Sequence, residues 1–185
     1  KTGLIVGLGL LGGKYARVLS GKGYRVLGID RDPAAVSYAR AHDYIVEGAA
    51  ENFAPLIEQA DYVIFGLYPT ALLAWVETYA QFLRPGALVT DVSGVKRGVV
   101  APVQQAMPAG VEFIGSHPMA GRESSGIAHS AEVDFAPANF IITPTAANTP
   151  AAVEWCRDLA RTLGFARISV LSPAEHDRMI GYVSQ

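Results

Sequence analysis

Cys156 is the one cysteine in a chain of 185 residues. A single thiol cannot close an intramolecular disulfide, which excludes the disulfide-stapled secreted class and suits a reducing compartment. Excess charge of either sign is missing too: 15 Lys and Arg against 17 Asp and Glu leave a formal net charge of -2. No basic footprint for nucleic acid or an anionic membrane surface is therefore present. The longest strongly apolar stretch without charge, Tyr62 to Val76, is broken by Gly66 and Pro69 and falls short of the ~20 residues that cross a bilayer. No secretory signal, internal repeat or low-complexity tract is visible, and the start at Lys1 rather than methionine suggests that a few residues are missing. What remains is a globular, cytoplasmic chain whose expected partner is a small neutral or acidic metabolite, with no nucleic acid, no membrane and no metal site.

Apolar residues are plentiful, at 50%, and their arrangement alternates between two periods. "TGLIV" (Thr2 to Val6) reads as a strand buried on both faces, followed by a helix from Leu10 to about Gly21 or Gly23, and "YRVLGID" as a second strand ending at Asp30. Asp32 and Pro33 open a helix through Arg40; "YIVE" reads as a short strand and "ADYVIFGLYP" as a longer one ended by Pro69. A helix over "TALLAWVETYAQFL" precedes strands at "GALVTDV", "VEFIGSHP" and "ANFIITP", the last two separated by a lid-like loop from Ala120 to Pro137. Pro150 to Gly164 is helical and places Cys156 on its apolar face as a core residue rather than a nucleophile; "ARISVL" is a strand, and Ser172, Pro173 and Glu175 mark another helix start. Such alternation predicts an α/β fold, a doubly wound, mostly parallel sheet with helices on both faces.

Immediately after the first strand stands "GLGLLG", with Gly7, Gly9 and Gly12 enclosing Leu10 and Leu11. In a Rossmann-like βαβ unit the first glycine permits the tight turn, the second lets backbone approach a pyrophosphate, and the third allows close helix-sheet packing. The helix N-terminus then offers free N–H groups to the phosphates. Asp30 closes the second strand near the ~20-residue offset expected of the acidic residue that bonds the adenosine ribose. Its carboxylate would accept from a 2'-hydroxyl and repel a 2'-phosphate, which favours NAD over NADP. Arg31 beside it could stack on adenine or compensate a 2'-phosphate, so NADP stays open, and Asp30 also reads as a plain strand-end turn residue. Leu67, Tyr68 and Pro69, at another strand end, either pack along the cofactor or form an ordinary turn.

Two strand ends carry reactive groups: "TDVSGVK", with Asp91, Ser93 and Lys96, and "GSHPMAGRESSG", with Ser116, His117, Arg122, Glu123 and Ser124. Both are expected to open onto the nicotinamide side. A histidine can deprotonate a hydroxyl, and an arginine can hold a carboxylate through paired N–H bonds. Each residue also has a bland reading: a structural histidine, an Asp91 bonded to local backbone, a solvated Lys96, a polar surface loop. His42 and His129 take the bland reading.

Taken in order, "GLGLLG", "TDVSGVK", "HPMAGRESSG", "FIITP" and "AEHDRMIGYVSQ" resemble the prephenate and arogenate dehydrogenases of tyrosine biosynthesis, and these landmarks span nearly the whole chain. The resemblance implies oxidative decarboxylation with hydride transfer to NAD, and makes His117 the residue that accepts the ring hydroxyl's proton. It implies substrate contacts at Arg122, Glu123, Ser124 and Ser184. Ser93 departs from the pattern: many relatives have serine one position later, where Gly94 stands, so the serine beside the histidine and nicotinamide is either replaced by Ser93, the reading preferred here, or absent.

By the same resemblance, residues 1–170 form the dinucleotide-binding domain and 171–185 begin a link to a helical domain that makes the homodimer and is absent from this chain. His176 and Asp177 are expected to serve as a helix cap or linker contact. Prephenate is the expected substrate, with arogenate the close alternative. A β-hydroxyacid dehydrogenase and a non-catalytic NAD-sensing module are the competing readings.

Overall fold

The computed structural model describes residues 1–121 and 124–184, without the side chains of 182–184. β1 (Thr2–Val6), β2 (Arg25–Ile29), β3 (Glu47–Ala49), β4 (Tyr62–Phe65), β5 (Leu88–Asp91) and β6 (Glu112–Phe113) form one sheet in the order β3-β2-β1-β4-β5-β6. Every pairing in it is parallel, with Val6 opposite both Ile29 and Phe65. The sheet is covered on both sides, as the apolar strands require. Leu4 and Val6 join a core with Leu72, Trp75 and Val103 from α4 (Pro69–Tyr79) and α5 (Val100–Ala106), whereas Ile5 faces Tyr15, Ala16 and Leu19 from α1 (Leu10–Gly21).

Local chemistry sets several element ends where the residues predict them. Asp32 accepts from Ala34 N–H at 2.9 Å with Pro33 in the first turn of α2 (Pro33–Ala41). Thr149 caps α6 (Pro150–Leu163), which ends at Gly164 with φ +95°. Ser172 and Glu175 exchange backbone N–H bonds of 2.9 and 3.1 Å at the start of α7 (Pro173–Ser184), a capping box.

Four expectations change. "YIVE" is not a strand: pairing begins only at Glu47, because Tyr44 and Ile45 are buried as core plugs, with Ile45 filling the space that Gly28 and Gly48 leave. Pro69 does not merely end a strand but occupies the first turn of α4, and β4 stops at Phe65. "VEFIGSHP" is two strands in two sheets. Glu112 and Phe113 pair with β5, then the chain turns away at Gly115, where a side chain would collide with Thr143, and Gly115–Pro118 becomes β7. β7 runs antiparallel to β8 (Asn139–Thr143), which pairs in parallel with β9 (Arg167–Val170).

The stretch from Ala120 to Pro137 is only partly a loop: residues Ile127–Glu132 form a 3-10 turn against α1, with Ile127, Ser130, Val133 and Phe135 buried. The short α3 (Ala54–Ile57) and α5 were not anticipated. Cys156 is fully buried, in keeping with a core role. No helix among the described residues is long and apolar enough to cross a membrane.

Candidate active site

A cleft lies beyond the carboxyl ends of β1, β2, β4 and β5, where open α/β sheets place their ligands. It has two lobes of about 520 and 470 Å³ that share Leu67 and Tyr68 as a partition. Tyr68 stands on the rim, 85% exposed.

The floor between the lobes is glycine backbone. Gly7 has φ +91°, and a Cβ there would sit 2.5 Å from the Gly66 carbonyl oxygen. A Cβ on Gly12 would strike the Gly7 carbonyl, so the start of α1 rests directly on the ends of β1 and β4. Gly9 differs: its φ is -93° and a Cβ would meet nothing within 4 Å. Neither conformation nor packing inside the protein demands glycine at this position. Clear space at a helix N-terminus whose cap residue supplies no side-chain bond is what an approaching pyrophosphate needs.

One lobe is lined by Gly7, Asp30, Arg31, Phe53, Thr70 and Trp75. Asp30 accepts from Leu8 N–H at 2.7 Å with one oxygen and from Asp32 N–H at 2.8 Å with the other. Its carboxylate thus pins the glycine loop and makes the strand-end turn, while lining the lobe where a ribose could reach it. The two sequence readings of Asp30 are compatible.

The other lobe is lined by Gly9, Leu10, Leu11, Pro69, Ser93, Gly94, His117 and Ser124 among others. His117 lies on β7 opposite Ile141. A Cβ on Gly94 would be 3.5 Å from its Nε2, so that nitrogen faces the strand-end loop lining the lobe. Its Nδ1 lies 2.8 Å from Nε2 of His176, whose own Nδ1 is 2.7 Å from Asp177 Oδ1. Burial, with Lys96 and His176 nearby, lowers the His117 pKa to about 4, so the ring is a neutral potential proton acceptor at physiological pH. Asp177 is held below the ordinary carboxylate range: partial burial opposes this, but bonds from His176, Arg97 N–H and Lys96 N–H outweigh it.

Beneath the cleft sits a buried ion pair. Lys96 Nζ donates to both Asp91 oxygens at 2.8 and 2.7 Å and to the Ser116 carbonyl at 2.6 Å, with both side chains fully buried. Asp91 also accepts from Ser116 N–H at 3.0 Å, and Thr90 and Ser116 hydroxyls are 2.7 Å apart. These bonds tie the end of β5 to β7, across the two sheets. Burial lowers the Lys96 pKa while Asp91 opposes the shift. The expectation that Asp91, Lys96 and Ser116 open onto the ligand is corrected, as is the solvated reading of Lys96: all three lie under the site and position it.

Ser93 lines the lobe, yet its hydroxyl donates to the Val95 carbonyl at 3.1 Å and accepts from Val95 N–H at 3.2 Å. Ser124 is on the lobe wall. Arg122, Glu123 and the side chain of Ser184 lie outside the described residues. Of the two roles expected of His176, helix cap or linker contact, it takes the second: it does not cap α7 but is fully buried against His117, a partner the sequence reading did not name. Asp177 does make the contact to another segment that was expected of it, through Lys96 and Arg97. Adjacent His and Asp at a helix start were the available signal. Among the described residues, no group of three or more His, Cys, Asp or Glu could hold a metal ion.

Comparison with known proteins agrees with this architecture. The chain is 33% identical over 187 residues to the prephenate dehydrogenase of Bacillus subtilis (strain 168), across 99% of this chain and 50% of that protein. The arogenate dehydrogenase of Synechocystis superposes with a TM-score of 0.88 at 29% identity, covering 100% of this chain and 64% of that one. A prephenate dehydrogenase from Aquifex aeolicus, crystallised with hydroxyphenyl propionate and NAD+, gives 0.88 at 26% identity over 98% of this chain and 63% of its own. The chain thus spans about half the length of the Bacillus relative. Residues 15–170 match the family model for the nucleotide-binding domain of prephenate dehydrogenase, and the chain belongs to that family.

Proposed function

We propose that this chain is the cofactor-binding part of an NAD-dependent dehydrogenase that converts prephenate to 4-hydroxyphenylpyruvate by oxidative decarboxylation. The observation that carries the reading is His117, a neutral ring on the wall of the cleft that begins at the glycine loop. Gly9 leaves space for the pyrophosphate at the N-terminus of α1, Leu10 and Leu11 flank it, and Asp30 accepts from the adenosine ribose, with Arg31 beside the adenine. Leu67, Tyr68 and Pro69 pack along the cofactor between the lobes. When bound, NAD supplies the hydride acceptor.

His117 takes the proton of the ring hydroxyl at Nε2 as that oxygen gains carbonyl character; carbon dioxide then leaves, the electron pair of the broken carbon–carbon bond makes the ring aromatic, and the oxygen regains a proton from His117 to give the phenol. The protein contributes alignment and proton acceptance. Ser124 borders the substrate, with Arg122 pairing a carboxylate, Glu123 balancing it and Ser184 contributing from α7. Ser93 serves beside the nicotinamide, where its hydroxyl must exchange its Val95 partners for the ligand. The homodimer forms through residues outside this chain, and the protein acts in the cytoplasm.

Arogenate is the second reading, supported by the similarity to the Synechocystis enzyme. Turnover by the full-length protein, measured with prephenate and arogenate against NAD and NADP, tests both. Prephenate with NAD is expected to give the highest kcat/KM; a reversed substrate ranking selects the second reading. Absence of turnover with every pair overturns both and leaves a nucleotide-sensing module.

A further inference from the structure

On the side of His117 remote from Gly94, three side chains line up in hydrogen-bond contact: His117 Nδ1, then His176 through its two ring nitrogens, then Asp177, at 2.8 and 2.7 Å. The far end is anchored. Asp177 accepts from Lys96 N–H at 3.1 Å with Oδ1 and from Arg97 N–H at 2.9 Å with Oδ2, so the start of α7 is clamped to the loop after β5. His176 is fully buried, leaving its ring little freedom to find other partners.

The direction of each bond follows from this anchor. An ionised carboxylate only accepts, so His176 presents its N–H at Nδ1. With both rings neutral, each imidazole carries one N–H, which leaves a lone pair on Nε2 of His176. That lone pair requires a donor, and the group opposite it is Nδ1 of His117. His117 therefore carries its proton on Nδ1, and Nε2, the nitrogen facing Gly94, is left with a free lone pair.

We propose that His176 and Asp177 are positioning residues that hold His117 in the Nδ1–H tautomer, so that the nitrogen turned toward the cleft can accept a proton. The inference rests on the reading of His117 as the proton acceptor. The opposite tautomer would point an N–H at the substrate hydroxyl and could donate to it but not deprotonate it. The neighbouring polar side chains Lys96 and Ser93 are committed elsewhere. Lys96 is a donor occupied by Asp91 and the Ser116 carbonyl, and the Ser93 hydroxyl is engaged with Val95. In the reaction step the substrate O–H bond breaks and a His117 Nε2–H bond forms. The resulting positive charge lies one ring away from the Asp177 carboxylate, which stabilises it.

The test is imidazole nitrogen NMR on the full-length, 15N-labelled protein, with His117→Asn used to assign the His117 signals. The wild type is expected to show His117 protonated at Nδ1 and His176 likewise. In His176→Phe the acceptor is gone: the His117 signals should shift toward the Nε2–H form, and kcat/KM should fall at least about tenfold while the KM for NAD stays within about twofold. His176→Gln, whose carboxamide oxygen can accept from Nδ1–H, should restore the tautomer and most of the turnover. A wild-type spectrum with His117 protonated at Nε2 overturns the proposal, and it decides the matter even if the phenylalanine variant does not fold. So does an unchanged His117 spectrum with unchanged turnover in His176→Phe. Failure of the underlying reading looks different: His117→Asn would then retain turnover, whatever the tautomer.

Discussion

β4, in the middle of the large sheet, is buried at all four positions, whereas β9, at the edge of the small sheet, is buried at none. The two regions contribute to one cleft by different means. The large sheet supplies backbone shape: three glycines, Gly7, Gly12 and Gly66, pack with almost no side-chain atoms between them, and Gly9 leaves a gap that the protein itself does not fill. The small sheet supplies a side chain, His117, held in place by buried polar groups. Shape made by backbone is insensitive to most neighbouring side chains but intolerant of any added atom at Gly7, Gly12 or Gly66. A site held by a polar network fails when one member is lost, because its partners are then left buried and unsatisfied.

The comparison can be broken most sharply at His117. Replacing it with asparagine removes the proposed proton acceptor and should reduce kcat by about 10²–10⁴-fold with NAD affinity nearly unchanged; equal losses in both would mean that the two halves of the cleft are not separable. In the wild type, the acid limb of kcat/KM should lie near pH 4, since the His117 pKa is lowered to about 4. The neutral base persists above that pH and is lost as pH falls through it, so a limb at about 6.5 would count against this environment.

Lys96→Met probes the network that joins the two sheets. Asp91 would keep a fully buried carboxylate without its cation, and unfolding free energy should drop by about 3–5 kcal/mol, measured by urea denaturation. A loss under about 1 kcal/mol would show that the joint between β5 and β7 does not depend on the ion pair.

Gly9→Ala carries the smallest effect on the fold. Its Cβ would touch nothing in the protein, so stability should change by less than about 1 kcal/mol. Titration calorimetry should nevertheless show NAD binding weakened about tenfold, a loss of roughly 1.4 kcal/mol. Unchanged affinity would mean that the gap over Gly9 is not where the pyrophosphate sits.

Legibility followed the same division. The strand at Thr2–Val6, the glycine turn and the cap at Asp32 were readable because their signals are local: apolar runs, backbone requirements at glycine, a side chain reaching two residues ahead. The break of "VEFIGSHP" into two sheets was not, because a strand's periodicity is the same whichever sheet it joins. Tyr44 and Ile45 misled for a related reason: apolar residues that plug a core beside Gly28 look in sequence like residues of a strand. Lys96 was misjudged because charge usually means solvent, and only Asp91 and the Ser116 carbonyl make its burial tolerable.

The sequence by itself determined the parallel α/β architecture, the glycine cradle and the presence of His117 at a strand end, since each is written in residues close together along the chain. Only the tertiary structure decided that His117 and His176, 59 positions apart, share a hydrogen bond, and that Asp177 anchors it to the loop after β5. Hydrogen bonds act over about 3 Å, and it is the folding of β7 and α7 against one another that brings such distant residues within that reach.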